Sequence, residues 1–496
     1  MQDWTELARA LADIAASESA EVREDGEWLA ALSQLHCELR HEGKQPLVHL
    51  WSDDRTLTRR VLRVKELSSD RIVLEVQRFG RAAPGRLEFL RASAAKPKGR
   101  VSREHFRSRF ARILAEKFPD AEIESLTASP DLEHSFSGLY VRGKMREAAA
   151  SHALLAVSSA ENSAAIDGML AFGLLWLDWA RGHADRRPAE GLRLFAPRDS
   201  TRALRERLLG VSPSARVEIF EFAEPQGEMR RMDPADAGNL ESWLVSRRDI
   251  ESELRASDDS LARVRAALPD SPPGAIQPRP SSVAHVVSLC FRGLEFARSS
   301  SQGLSFGLGD SLEPLSSARE KKFDALLRDL DFHRNPLAED ANHPLFRAAP
   351  ERWLEALILD APDRLDAALD PRFLYSQVPA MAAGDRGVLD LLGVTRRGRL
   401  VVIELKASED IQLPMQAVDY WLRVRRHQQA GNFERFGYFP GLKLDPAPPL
   451  VWLVAPGLRF HPSAEILCRY LSPEIQLKRI GLSENWRRGV KVVFRQ

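Results

Sequence analysis

Apolar and polar positions change period several times along this chain. The opening stretch MQDWTELARALADIAAS has apolar residues three and four apart with acids between them, and residues 1–40 are expected to be helical. Between 46 and 92 the runs PLVHLW, RVLRVK, RIVLEV and RLEFL are short, rich in β-branched residues and separated by polar or Gly/Pro turns, which predicts a small antiparallel sheet. Helix and sheet together make an N-terminal domain, 1–98. It carries Arg55, Arg59, Arg60, Arg63 and Lys65, expected to form a solvated strand face rather than a phosphate grip.

From 99 to 250 the pattern is α/β. REHFRSRFARILAEKF predicts a helix, AEIESLTA a strand and SHALLAVSS a buried strand; a long helix follows at 163–181, then strand LRLFAP, helix STRALRERLLG and strand ARVEIFEF. Inside that long helix lies the most apolar run, GMLAFGLLWLDWA. It is too short to cross a bilayer and carries Asp178, so it reads as a buried core helix, and no membrane partner is expected. Residues 251–283 contain PDSPPGAIQPRPSS and are expected to be a Pro-rich linker. A connecting region at 284–345 holds a short strand and the helix SSAREKKFDALLRDL. From 346 to 496 come helix PERWLEALIL, strands FLYSQVPA, GVLDLLGVT and RLVVIELKA, helix LPMQAVDYWLRVRRH, strand PLVWLVAP, helix SAEILCRYL and strand IQLKRIGL. The alternation argues an α/β fold, a mixed sheet flanked by helices.

Composition adds little. The chain has 496 residues and a formal net charge of +1, so any charge argument must be local. Its three cysteines, Cys37, Cys290 and Cys468, lie far apart, which fits a reducing cytoplasm better than a disulfide framework or zinc site. The N-terminus lacks the basic start and apolar run of a signal peptide.

The candidate chemistry sits in GRLVVIELKAS, 398–408. Leu400 to Ile403 and Leu405 read as a strand buried on both faces, yet Glu404 and Lys406 stand at its end. Charges entering a core are costly unless something pairs with them. Residues two apart share a face, so both point the same way. The preceding strand ends its GVLD run in Asp390, and pairing about the RRG turn brings Asp390 toward Glu404. Two carboxylates across a gap suit Mg²⁺, with Mn²⁺ as the alternative, and Lys406 is placed to stabilise a metal-activated hydroxide. Gln416 and Tyr420 follow, four apart on one helical face, and Glu355 lies on an amphipathic helix upstream.

This constellation resembles the PD-(D/E)XK nuclease superfamily, which has the restriction-endonuclease-like fold. The matching parts are a helix Glu, a GxxD strand, E-x-K on the next strand and a following helix with Q-x-x-x-Y, similar to the RecB-type branch; IELK and ERWLEALI are also similar to NucS-like and Shedu-like nucleases. The resemblance covers about residues 346–480. It implies that Asp390 and Glu404 are metal ligands, that Lys406 supports the nucleophile, that Gln416 and Tyr420 position substrate or lysine, and that Glu355 is a further catalytic acid.

The middle region repeats the C-terminal order, with LRLFAP echoing VWLVAP. Laying ALLAVSSAEN on VVIELKASED puts Ala156 at the place of Glu404, Ser158 at that of Lys406 and Tyr140 near that of Asp390. Residues 99–250 read equally as a degenerate, inactive copy, serving as scaffold, DNA-binding element or dimerisation element, and as a generic α/β region that resembles the C-terminal one by chance. The expected function is a Mg²⁺-dependent nuclease acting on nucleic acid, DNA before RNA, with a homodimer allowed. Its phosphate grip would come from Arg396, Arg397, Arg399, Arg423, Arg425, Arg426, Arg487, Arg488 and Lys491. The alternative is a catalytically inactive nuclease-fold module that binds nucleic acid or a protein partner. Nucleotide phosphotransfer is a weaker reading, since no Gly-rich phosphate loop supports it.

Overall fold

The computed structural model describes residues 4–496 apart from 16–19, 25–26, 33–35, 43–44, 52–55, 69, 78–83, 92–98, 132–133, 148–149, 184–187, 224–227, 237–243, 282–284, 310 and 377–388. The protein is α/β throughout and divides into two compact units, residues 1–240 with 462–473 and residues 241–461 with 474–496. Among the described residues no helix is long and apolar enough to cross a membrane.

The first unit opens with helix Trp4–Ala15, whose Leu7, Leu11 and Ile14 pack on a seven-stranded antiparallel sheet. The helical expectation for 1–40 fails after Ala15, because Ala20–Glu24, Glu27–Ala31 and His36–Glu42 are strands. An Asp-Gly pair separates the first two and marks a hairpin, a local turn signal stronger than the helical period around it. The basic residues of this sheet are largely paired: Arg59 with Glu24 at 2.7 Å and Lys65 with Glu75 at 2.5 Å, while Arg55 lies outside the described residues.

The rest of this unit is a six-stranded mixed sheet. Its strands are β1 (Ala121–Thr127), β2 (Val141–Glu147), β3 (Ala150–Ala156), β4 (Gly191–Pro197), β5 (Val217–Phe222) and β6 (Met229–Met232), side by side in that order. Helix α1 (Gly99–Lys117) precedes β1, α2 (Ser163–Gly182) joins β3 to β4, and α3 (Arg202–Arg207) joins β4 to β5.

The second unit contains a five-stranded antiparallel sheet and a second six-stranded mixed sheet. The latter consists of β7 (Leu369–Ser376), β8 (Leu391–Thr395), β9 (Leu400–Leu405), β10 (Leu450–Pro456), β11 (Gln476–Leu482) and β12 (Val492–Arg495). Helix α4 (Pro350–Asp360) precedes it, α5 (Leu413–Gln429) joins β9 to β10, and the chain between β10 and β11 carries α6 (Ala464–Arg469), within the 462–473 segment that belongs to the first unit. In both six-stranded sheets successive strands pair antiparallel, antiparallel, parallel, parallel, antiparallel. The two sheets share one strand order and one pattern of pairing, and a helix occupies each corresponding place along the chain.

The Pro-rich stretch expected to be a linker is structural. Residues Ile276–Pro280 form the outermost strand of the five-stranded sheet, with Pro278 opposite Leu289 and Pro280 opposite Val287. An edge strand tolerates proline because one row of its backbone groups need not pair. That sheet docks on α4. Gln277 Nε2 donates to Ala356 O at 3.0 Å, and Gly293 (φ +83°) lies so close that a Cβ there would sit 2.1 Å from Arg352 O. Arg334, fully buried, donates at 2.7 Å to both Leu345 O and Ala348 O just ahead of the helix.

Candidate active site

The β8–β9 pairing runs from Leu391 opposite Ile403 to Val394 opposite Leu400, so the next step of that register sets Asp390 against Glu404. Alternation along β9 sorts its side chains. Val401, Ile403 and Leu405 pack toward Trp353 of α4, whereas Leu400 and Val402 pack toward Tyr420 and Val424 of α5. Glu404, buried, continues the α5 face. Asp390 is fixed by a hydrogen bond from the Leu405 backbone N–H to its Oδ2 at 2.9 Å. Lys406 follows the strand; its N–H donates to Val454 O, and its Nζ lies 3.5 Å from Asp410 Oδ2.

Electrostatics joins five of the expected residues, Asp390, Glu355, Lys406, Glu404 and Tyr420. Partial burial of the Asp390 carboxylate desolvates it, and this, with the negative charge of Glu355, pushes its pKa up to about 6 against the opposing pull of Arg352, the Leu405 N–H and Lys406. Tyr420 is buried, and desolvation, with the charges of Glu404 and Asp390, holds its hydroxyl well above the ordinary tyrosine range. Glu355 is fully buried; its Oε2 accepts from Arg279 Nη1 at 3.0 Å and from Arg352 Nη1 at 3.1 Å. Gln416 lies one turn ahead of Tyr420 on the same helix, and its buried Oε1 makes no hydrogen bond to any of the described residues.

The donor chemistry fits a hard divalent cation: two opposed carboxylates and an unbonded amide oxygen on the adjoining helix, with water and phosphate left to complete the shell. Yet among the described residues no group of three or more His, Cys, Asp or Glu side chains converges in metal-holding geometry.

Three residues at this end of the sheet were not expected. Arg352 lies one turn before Glu355 and Asp410 four residues after Lys406, spacings that could have revealed both. Arg279 carried no such signal, being 76 residues from Glu355 in a stretch read as linker.

The expected phosphate grip needs correction. The turn bearing Arg396, Arg397 and Arg399 lies at the far end of the hairpin from Asp390, six residues or about 20 Å away at strand rise. Arg399 is bonded there to Pro448 O and Gln476, and Arg425 to Gln428 and Pro446 O. Arg423 is buried beside Tyr420, and Arg487 is stacked on Phe346, Trp353 and Trp486.

The residue matching of the two sheets also shifts by one position. Ala156 faces Phe106 and Phe110 of α1, the counterpart of the α4 side, so it corresponds to Leu405. Leu155 pairs with Leu194 of LFAP as Glu404 pairs with Leu453 of LVAP, and on its other side Leu155 opposes Arg142 as Glu404 opposes Asp390. Leu155, Val157 and Arg142 therefore stand where Glu404, Lys406 and Asp390 stand. The unshifted alignment by apolar runs missed this because both faces of β3 are apolar.

No family model matches the chain, and no curated protein matches it. Among solved structures, a repair endonuclease from Pyrococcus abyssi is similar over 44% of this chain and 94% of its own, at 12% identity and a TM-score of 0.17. A superposition of that quality defines no residue correspondence, so the site is read from its own side chains.

Proposed function

We propose that this protein is a metal-dependent nuclease that hydrolyses phosphodiester bonds in nucleic acid, DNA before RNA, as a PD-(D/E)XK-type enzyme in the cytoplasm. The observation that carries the reading is the β8–β9 register, Leu391 opposite Ile403, which continued by one step opposes Asp390 to Glu404 at the end of a buried hairpin. A purely structural sheet gains nothing from two opposed acids there, since like charges in a desolvated place repel. In this reading Asp390 and Glu404 hold Mg²⁺ or Mn²⁺, which, when bound, supplies an activated water and screens phosphate charge. Lys406, restrained by Asp410, would supply its ammonium to stabilise the nucleophile, and Gln416 and Tyr420 of α5 would position substrate or the lysine. The first six-stranded sheet is an inactive copy of the second: a leucine and an arginine replace the two acids, and neither holds a divalent cation. Homodimerisation remains part of the proposal only as an assembly through that copy.

A second reading, a nuclease fold retained as a nucleic-acid-binding or protein-binding module, is supported by the fact that among the described residues no third acid, histidine or cysteine joins the pair. One experiment separates them. Purified protein is incubated with single-stranded, double-stranded and branched DNA and with RNA, in Mg²⁺, in Mn²⁺ and in excess EDTA. The nuclease reading expects cation-dependent cleavage, abolished by Asp390→Ala and by Glu404→Ala in folded protein. Cleavage that persists in EDTA overturns the metal-dependent reading; binding without cleavage under every condition selects the module.

A further inference from the structure

Arg279 and Glu355 come from different layers. Arg279 stands on the Pro-rich edge strand of the five-stranded sheet and Glu355 on α4. Their side chains are only 6% and 1% exposed, and they meet at 3.0 Å. A buried ion pair contributes little net stability, because desolvation of both charges offsets their attraction. An apolar pair of equal volume would hold the two layers at least as well. The position of this pair suggests a different use: Glu355 acts on Asp390, and Asp390 in turn acts on Arg279, so the guanidinium lies within the field of the acids.

We infer that Arg279 is a positioning residue of the candidate metal centre: it clamps Glu355 from the neighbouring sheet and sets how much negative charge the centre presents to a divalent cation. The inference rests on the metal-dependent reading and extends it. With Arg279 and Arg352 both on Oε2, Glu355 is drawn to the guanidinium side and its negative charge is partly offset, leaving Asp390 and Glu404 as the acids that face the cation. Gln277 and Gly293 meet α4 at Ala356 and Arg352, on either side of Glu355 along the helix, so the sheet that carries Arg279 is tied to α4 around this contact. Charge at this depth is poorly screened, and one unit added or removed there changes the affinity of a divalent ion by a large factor.

The test measures Mn²⁺ binding to the full chain by calorimetry, without substrate, together with melting temperature. Arg279→Met should tighten Mn²⁺ binding at least fivefold, because Glu355 loses one of its guanidinium partners. Glu355→Met should weaken it by a similar factor. The double variant, which removes one charge of each sign, should return close to the wild type, and Arg279→Lys should also stay close to it. If Arg279→Met fails to fold, the comparison of Glu355→Met with the double variant reads the same step, and the double variant must bind more tightly. Equal Mn²⁺ affinity in all chains, with only melting temperatures changed, overturns the inference and leaves a structural ion pair. In that case wild-type cleavage still stands as evidence for the nuclease. A wild type that neither binds Mn²⁺ nor cleaves overturns both.

Discussion

Asp390 and Leu405 are joined by a 2.9 Å hydrogen bond from a backbone N–H to a carboxylate oxygen. The bond ties the acid that precedes β8 to the strand that carries Glu404, so the two acids keep their separation for as long as the hairpin exists. Such preorganisation is what a cation site needs and what a metal-free fold has to withstand.

The cost should be measurable as a pH effect. The Asp390 pKa rises from 3.8 in the unfolded chain to about 6 in the folded one. A raised folded pKa means that its contribution to stability is complete below about pH 4 and is lost as pH rises through about 6, a change of about 2 kcal/mol given that its surface is partly open. In EDTA the wild-type melting temperature should therefore fall between pH 5 and 7.5 more than that of Asp390→Asn, and the variant should be the more stable at pH 7.5. Parallel pH curves for the two chains would show that burial of this carboxylate carries no such cost.

Lys406 offers a test of chemistry against binding. Its side chain is mostly buried, and its Nζ lies 3.5 Å from Asp410 Oδ2, which restrains it. Lys406→Ala should lower single-turnover cleavage by at least about 100-fold, near 3 kcal/mol of transition-state stabilisation, while DNA affinity changes little because phosphate contacts are spread over many cations. A folded variant that cleaves at the wild-type rate removes this lysine from the mechanism.

Much of the second six-stranded sheet could be read from sequence, for a physical reason. Its strands are buried on both faces and its helices present apolar stripes, so LVVIEL and PERWLEALIL announce themselves, and the short RRG turn fixes a register that opposes Asp390 to Glu404. The last strand, Val492–Arg495, was missed because its exposed edge gives it a mixed pattern. Ile276–Pro280 was missed because proline is compatible with an edge strand and with a linker alike, and local sequence does not say which. Arg279 was invisible for that reason. Its role exists only once the two sheets of this unit are packed.

The two six-stranded sheets predict an asymmetry of function. Arg142, at the place corresponding to Asp390, is buried and lies 5.0 Å from the Phe136 ring and 5.6 Å from that of Trp176, with Nη1 donating to Ser129 O. A guanidinium held there excludes a divalent cation by charge alone. Arg142→Met should lower stability yet leave cleavage per folded molecule within about twofold, an order-of-magnitude expectation for a site that performs no chemistry. Asp390→Ala should leave no residual cleavage. A residual rate in Asp390→Ala that disappears on adding Arg142→Met would show that the first sheet is catalytic after all.

The docking of the five-stranded sheet on α4 can be tested with two glycines of that sheet. Gly293 and Gly303 both have positive φ, +83° and +106°. A Cβ at Gly303 would meet nothing within 4 Å, whereas one at Gly293 would lie 2.1 Å from the Arg352 carbonyl oxygen. Gly303→Ala should cost only the backbone strain of a left-handed alanine, about 1 kcal/mol. Gly293→Ala adds a collision with helix backbone, which cannot rotate away, and should cost about 3 kcal/mol or more. Because Arg352 also bonds Glu355, a displaced hairpin should disturb the candidate site as well, so Gly293→Ala should weaken Mn²⁺ binding or cleavage in the fraction that remains folded, and Gly303→Ala should not. Urea unfolding of both variants supplies the comparison. Equal losses would mean that the hairpin swings clear of α4 at no cost, and that the sheet bearing Arg279 is not held firmly enough to position anything.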